Sequence, residues 1–186
     1  MEWFHTNIAP YPYRKLANVQ SKTRYGGMEN ASNIFYFENS VNGKKEREAL
    51  IAHEIAHQWF GNTASEANWY HVWLSEGFAT YCTDLYMEAK YGQEILAERM
   101  REERFAVIQY AARRKAPIVD TTVNNLNALL NTNSYQKGAW VLHMLRREIG
   151  DEAFWKGIRA YYHRYKESNA LKSDLQRVME EVSGKS

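Results

Sequence analysis

The run His53-Glu54-Ile55-Ala56-His57 constrains this chain more than any other segment. On an α-helix, residues four apart share one face about one turn apart, so His53 and His57 project together and can chelate a metal. Two neutral imidazoles fall one short of the three protein ligands of a catalytic zinc site, whose fourth position is left to water. Glu76 is the natural third. It lies nineteen positions beyond His57, far enough for the chain to leave the helix, turn, and bring a carboxylate back on a second helix. Glu54 flanks the same face, placed to take a proton from water rather than to ligate. The pattern therefore calls for one Zn2+ ion on His53, His57 and Glu76, with Glu54 as the base.

A bare H-E-x-x-H also arises by chance on polar helix faces. Here Ala49, Leu50, Ala52, Ile55, Ala56, Trp59 and Phe60 surround the polar residues, so the helix reads as largely buried. Buried charge without a partner is costly, and a metal removes the difficulty.

At 186 residues the chain fits one domain, in one or two lobes, with a sizeable core. Its single cysteine, Cys82, cannot pair within the chain and reads as a small core residue. The formal charge is only +2, and runs such as Lys44 to Glu48 and Glu98 to Arg104 interleave both signs. They read as solvated helix faces, not a nucleic-acid footprint. No stretch approaches the ~20 apolar residues that cross a bilayer. The opening residues lack the basic and apolar regions of a signal, and the compartment stays open.

Pro10 and Pro12 make the first forty residues read as extended and without helix, with strands at about Lys15 to Gln20 and at Asn33 to Phe37. Gly26-Gly27-Met28-Glu29-Asn30 lies between them, either as a hairpin loop or as backbone held close to a ligand. Helices are expected at Glu46 to Gly61, with the histidines in the middle, and from a Ser75 N-cap to about Tyr91. A third runs from Gln93 to Lys115, with Ile95, Leu96, Met100, Phe105, Val107 and Ile108 on its apolar side. An irregular Asn-rich stretch follows Pro117. Ser134 caps the next helix, Asp151 opens another, and Ser173 with Gln176 forms a capping box for the last. His143 and His71 read as hydrogen-bonded structural histidines.

Three motifs in one order give these residues a wider meaning. Gly26-Gly27-Met28-Glu29-Asn30, the H-E-x-x-H-x18-E span from His53 to Glu76, and Ser134-Tyr135-Gln136-Lys137-Gly138 together make the chain resemble the M1 family of zinc aminopeptidases. These gluzincins include aminopeptidase N and leukotriene A4 hydrolase. The resemblance extends through Trp59-Phe60-Gly61-Asn62, Trp73 to Ala79 and Leu142-His143-Met144-Leu145 over essentially the whole chain, and it replaces the hairpin reading of the first motif.

The resemblance implies an α+β, thermolysin-like catalytic domain. A small mixed sheet and the H-E-x-x-H helix occupy residues 1–72, and a helical lobe occupies 73–186. It implies zinc, Glu54 as general base, and Tyr135 as a hydrogen-bond donor to the oxyanion of the tetrahedral intermediate. It implies that Glu29 binds the substrate's α-ammonium group, that the backbone at Gly26, Gly27 and Asn30 pairs with the peptide, and that Met28 lines the pocket for the first side chain. Peptides with a free N-terminus are the implied partners. A thermolysin-type endopeptidase, an epoxide hydrolase and a non-catalytic module stapled by zinc are the alternatives. The family's N-terminal β-domain, which supplies a second group to hold the substrate amine, and its C-terminal helical domain have no counterpart here. The expectation is a catalytic-domain fragment that binds zinc and turns over more weakly than its parent.

Overall fold

The apolar and small residues from Trp73 to Leu85 are all buried and form the first two-thirds of the central helix. In the computed structural model, which describes residues 1–40 and 42–186, this helix, α3 (Trp73–Tyr91), packs against the H-E-x-x-H helix before it and two helices after it. Elements before it are α1 (Glu2–Asn7), β1 (Ala17–Ser21), β2 (Gly27–Met28), β3 (Asn33–Phe37), α2 (Glu48–Ala56) and β4 (Ala64–Glu66). After it come α4 (Gln93–Arg113), α5 (Gln136–Ile149), α6 (Asp151–Tyr165), β5 (Ser168–Ala170) and α7 (Lys172–Ser183). The result is α+β: mostly helical, with a small mixed sheet beside α2.

The sheet has the order β1-β3-β2. β3 alternates buried and half-buried residues, turning Ile34 and Tyr36 inward, as a strand with one covered face requires. β1 runs parallel to it in the register Ala17 to Asn33, and β2 runs antiparallel with Gly27 opposite Tyr36. β2 is thus an edge strand. A second, two-stranded sheet pairs β4 with β5 in parallel, Ala64 opposite Ser168.

The N-terminus departs from its extended reading. α1 ends at Asn7 with Ile8 as its cap, before Pro10, so the prolines follow a helix rather than prevent one. Tertiary contact makes this short helix worthwhile: Phe4 and Ile8 are buried, and the Phe4 ring stacks on Trp59 at 5.8 Å. Full burial of such side chains stabilises by roughly 1.5–3 kcal/mol each. Trp59 also donates its indole N–H to the Ala9 carbonyl at 2.9 Å.

α2 is shorter than Glu46 to Gly61. Its hydrogen bonding closes at Ala56, His57 is the C-cap, and the chain tightens through bonds from Gln58 and Trp59 to carbonyls three residues back. The histidines therefore sit at the end of the helix, not in its middle. Gly61, with φ +118°, makes the turn.

The serine caps are also revised. Ser75 lies inside α3, which starts at Trp73. Ser134 spends its hydroxyl on the Leu129 carbonyl at 2.5 Å, and α5 starts at Gln136. α7 is capped by Asp174, which accepts from the Leu171 N–H at 2.8 Å, rather than by Ser173 and Gln176. On α4 only Leu96 and Met100 of the expected apolar side are buried, whereas Phe105 and Ile108 are 64% and 53% exposed. Nor is Glu98 to Arg104 wholly a solvated face, since Glu103 is buried. Cys82 is a buried free thiol, as read. No helix among the described residues is long and apolar enough to cross a membrane.

α3 and α5 cross with their backbones in contact. A β-carbon on Gly77 or Gly138 would come within 2.8 Å of the other glycine's Cα, so no other residue fits at either position without parting the helices.

Candidate metal centre

His53 projects from the last turn of α2, His57 from its cap, and Glu76 from the first turn of α3. Their ligand atoms converge. His53 Nε2 and His57 Nε2 each lie 3.2 Å from Glu76 Oε2 and 3.1 Å from each other. They are the one such group of histidine, cysteine and acidic side chains among the described residues.

The orientation of His57 is fixed from behind. Its Nδ1 lies 3.1 Å from the Phe60 carbonyl, which can only accept, so Nδ1–H donates and Nε2 is turned to the centre. The buried Ser75 hydroxyl lies 3.2 Å from the same nitrogen. A side chain at Gly61 would overlap that hydroxyl. The His53 ring stacks at 6.0 Å on Tyr135.

Electrostatics test the fit for a cation. Burial by itself would lower both imidazoles; Glu76, aided by Glu29 and Glu54, reverses this for His57, pushed up to about 10, while His53 stays lowered. Burial would raise Glu76, but the His57 charge and hydrogen bonds from both histidines hold it well below the carboxylate range. The triad draws positive charge to its centre. Two imidazole nitrogens and a carboxylate oxygen, each oriented and nearly dry, fit a zinc ion.

Glu54 is buried beside the triad, and burial pushes its carboxyl up to about 7, against the opposing charge of His57 and with the help of Glu29 and Glu76. It lies so close under β2 that a β-carbon at Gly27 would overlap its carboxylate. The phenol of Tyr135 is raised by burial and by the Glu76 charge. Tyr135 is the residue next to α5, so the Gly77–Gly138 crossing sets its distance from Glu76.

A cavity of about 600 Å3 connects these groups. Gly26, Gly27, Met28 and Glu29 line it, as do His53, Glu54, His57, Glu76 and Tyr135. Asn30 is the exception. It is exposed outside the cavity, where its carbonyl accepts from Asn33 N–H at 2.9 Å.

Two residues escaped the sequence reading. Gln58 and Asn62 both donate to the Glu29 carbonyl, at 2.9 and 2.7 Å, and Gln58 also accepts from the Ser32 N–H at 2.8 Å. They fasten the Glu29 loop to the turn that follows α2. Asn62 lies in a run noted for its resemblance, but no spacing rule links it to Glu29. His143 and His71 are structural, as read: His143 Nδ1 lies 3.0 Å from the Tyr81 hydroxyl, and His71 accepts from the Lys172 N–H at 3.2 Å.

Comparison with known proteins agrees with this geometry. Aminopeptidase M1-B from Oryza sativa subsp. japonica is 34% identical over 188 residues, covering 94% of this chain and 22% of that protein. The chain thus spans about a fifth of the length of that curated relative. An M1 zinc metallopeptidase from Deinococcus radiodurans superposes with TM-score 0.81 over 97% of this chain and 39% of its own, at 24% identity. Yeast LTA4 hydrolase in complex with bestatin superposes at 0.89 over 97% and 30%, at 21% identity. At these identities the two structures speak for the fold alone. The Peptidase family M1 domain profile matches residues 1–186, and the chain belongs to that family.

Proposed function

We propose that this domain removes the first residue from peptides with a free N-terminus, as a zinc-dependent aminopeptidase. The observation that carries the reading is the single cavity onto which the metal triad, Glu54, Tyr135 and Glu29 all open. His53, His57 and Glu76 would hold the ion. Zinc, when bound, supplies Lewis acidity, acidifying water and polarising the scissile carbonyl.

The chain's own groups do the rest. Glu54, with a carboxyl near neutrality, takes a proton from the attacking water on one carboxylate oxygen and delivers it to the leaving amine. Tyr135 stays protonated because its phenol is raised, so its O–H can donate to the carbonyl oxygen as negative charge develops there. Glu29 pairs with the substrate's α-ammonium group, and the edge strand β2 offers its backbone to the peptide. Fixing the amine sets which bond reaches the reacting groups.

The test is a pair of substrates, an aminoacyl arylamide and its N-acetyl form, given to the zinc-loaded chain. The free-amine substrate is expected to be cleaved and the blocked one spared. Equal cleavage of both would remove Glu29 from its role and leave an endopeptidase.

A further inference from the structure

The backbone of Glu29 is held by side chains from another part of the chain. Its carbonyl accepts from Gln58 Nε2 at 2.9 Å and from Asn62 Nδ2 at 2.7 Å. A carbonyl oxygen has two lone pairs, and a donor on each fixes the peptide in two directions instead of leaving it a pivot. Gln58 closes the loop as well, since its Oε1 accepts from the Ser32 N–H at 2.8 Å. One carboxamide thus serves an acceptor and a donor three residues apart. Ser32, just before β3, holds a left-handed φ of +62°.

The same two residues reach the backbone of the reacting groups. Asn62 donates its main-chain N–H to the His57 carbonyl at 3.0 Å, and Gln58 Nε2 donates to the Glu54 carbonyl at 3.4 Å. One side chain therefore spans from Glu29 to a residue of the metal centre, and a second spans from Glu29 to the neighbouring acid. Gln58 is fully buried, so each of its hydrogen bonds is costly to lose. A half-buried loop could leave its carbonyl to water at little cost. This one is bound instead to the turn that follows α2.

We infer that Gln58 and Asn62 are positioning residues that set the distance from the Glu29 carboxylate to the metal centre, and with it the register in which a substrate's first residue spans the two. The inference rests on the aminopeptidase reading, in which Glu29 holds the α-ammonium group. Neither residue lines the cavity, so each acts through Glu29. One residue adds ~3.3–3.6 Å to an extended peptide. A shift of Glu29 by a fraction of that length spoils the fit of the first residue without admitting a second. Misplacement by 1 Å can cost about 100-fold.

Calorimetry on the zinc-loaded chain with leucinamide and 4-methylpentanamide, which differ only in the α-amine, reads the anchor without turnover. Leucinamide is expected to bind the wild type at least tenfold more tightly. In Asn62→Leu, which keeps the bulk and loses the donor, that ratio should fall at least fivefold, with 4-methylpentanamide affinity and zinc content unchanged. Gln58→Met removes the other donor and should act in the same direction, which keeps the test open if one variant does not fold. On a Glu29→Ala background neither substitution should weaken leucinamide further, because nothing is left to position. A further loss there overturns the inference, as does loss of fold or zinc in both variants. A ratio that Glu29→Ala abolishes but both substitutions leave untouched also overturns it, while the aminopeptidase reading stands. Equal binding of the two amides by the wild type sinks both.

Discussion

Two buried clusters on the same helix treat their carboxylates in opposite ways. In the first turn of α3, Glu76 faces two imidazoles and is held low; two turns on, Asp84 pairs with Arg99 and interacts with Glu103, and burial pushes both carboxyls up. Both are nearly dry, so burial does not separate them. What separates them is the count of partners able to carry positive charge. The first cluster gathers two imidazoles round one carboxylate, and the second sets two carboxylates beside a single guanidinium that is paired with only one of them. Burial sets the size of an electrostatic effect, and the neighbours set its sign.

Several measurements would break or sharpen this contrast. The largest expected effect is that of Glu54→Gln, which should lower turnover by about 10²- to 10⁴-fold, the usual worth of a general base. Its zinc content should match the wild type by metal analysis. Zinc lost with Glu54 would mean that Glu76 is not the ion's carboxylate, and the contrast would fail at its first term. Next, Tyr135→Phe should cost about 100-fold in kcat with little change in KM, as for loss of one oxyanion donor; an effect on KM alone would make the phenol a substrate contact.

Zinc should then separate the clusters by stability. Ion at about 100 times its Kd stabilises the folded state by about 2.7 kcal/mol. The resulting rise in Tm should vanish in Glu76→Gln and persist in Glu103→Gln. The smallest effect is a drift with pH. Because Asp84 and Glu103 titrate above the ordinary carboxylate range, the folded chain binds more protons than the unfolded one. The stability they contribute is therefore complete below about pH 4 and lost as pH climbs through the raised Glu103 titration. Urea unfolding from pH 5 to 9 should show wild-type stability declining by on the order of 1 kcal/mol more than that of Glu103→Gln, one pKa unit being worth about 1.4 kcal/mol. A decline of equal size in both would place the excess protons elsewhere.

The two clusters also differ in how far the sequence reveals them. The His53–His57–Glu76 group is legible because helix periodicity fixes His53 against His57, and Glu76 follows at a spacing that a turn and a second helix can span. The Asp84–Glu103 pair is not. Asp84 and Glu103 belong to different helices, and Glu103 stands in the alternating charges of Glu98 to Arg104, which by composition alone read as solvent-facing. Only the packing of α4 on α3 turns it inward.

The same competition defeated the helix starts. Ser75 and Ser134 have the right side chains for caps, but tertiary partners, His57 and the Leu129 carbonyl, take their hydroxyls. β3 was readable from its β-favouring run, and α1 was not, since its stability comes from Trp59 fifty-odd positions away rather than from its own residues.

The Gly77–Gly138 crossing has a consequence for any attempt to tune this protein. Where most helices meet through side chains, their spacing can be adjusted a methyl group at a time. Here main chain rests on main chain, and nothing remains to trim. The gap between Glu76 and Tyr135 is set at its lower limit by the thickness of two polypeptide backbones, so substitution at this joint can only widen it.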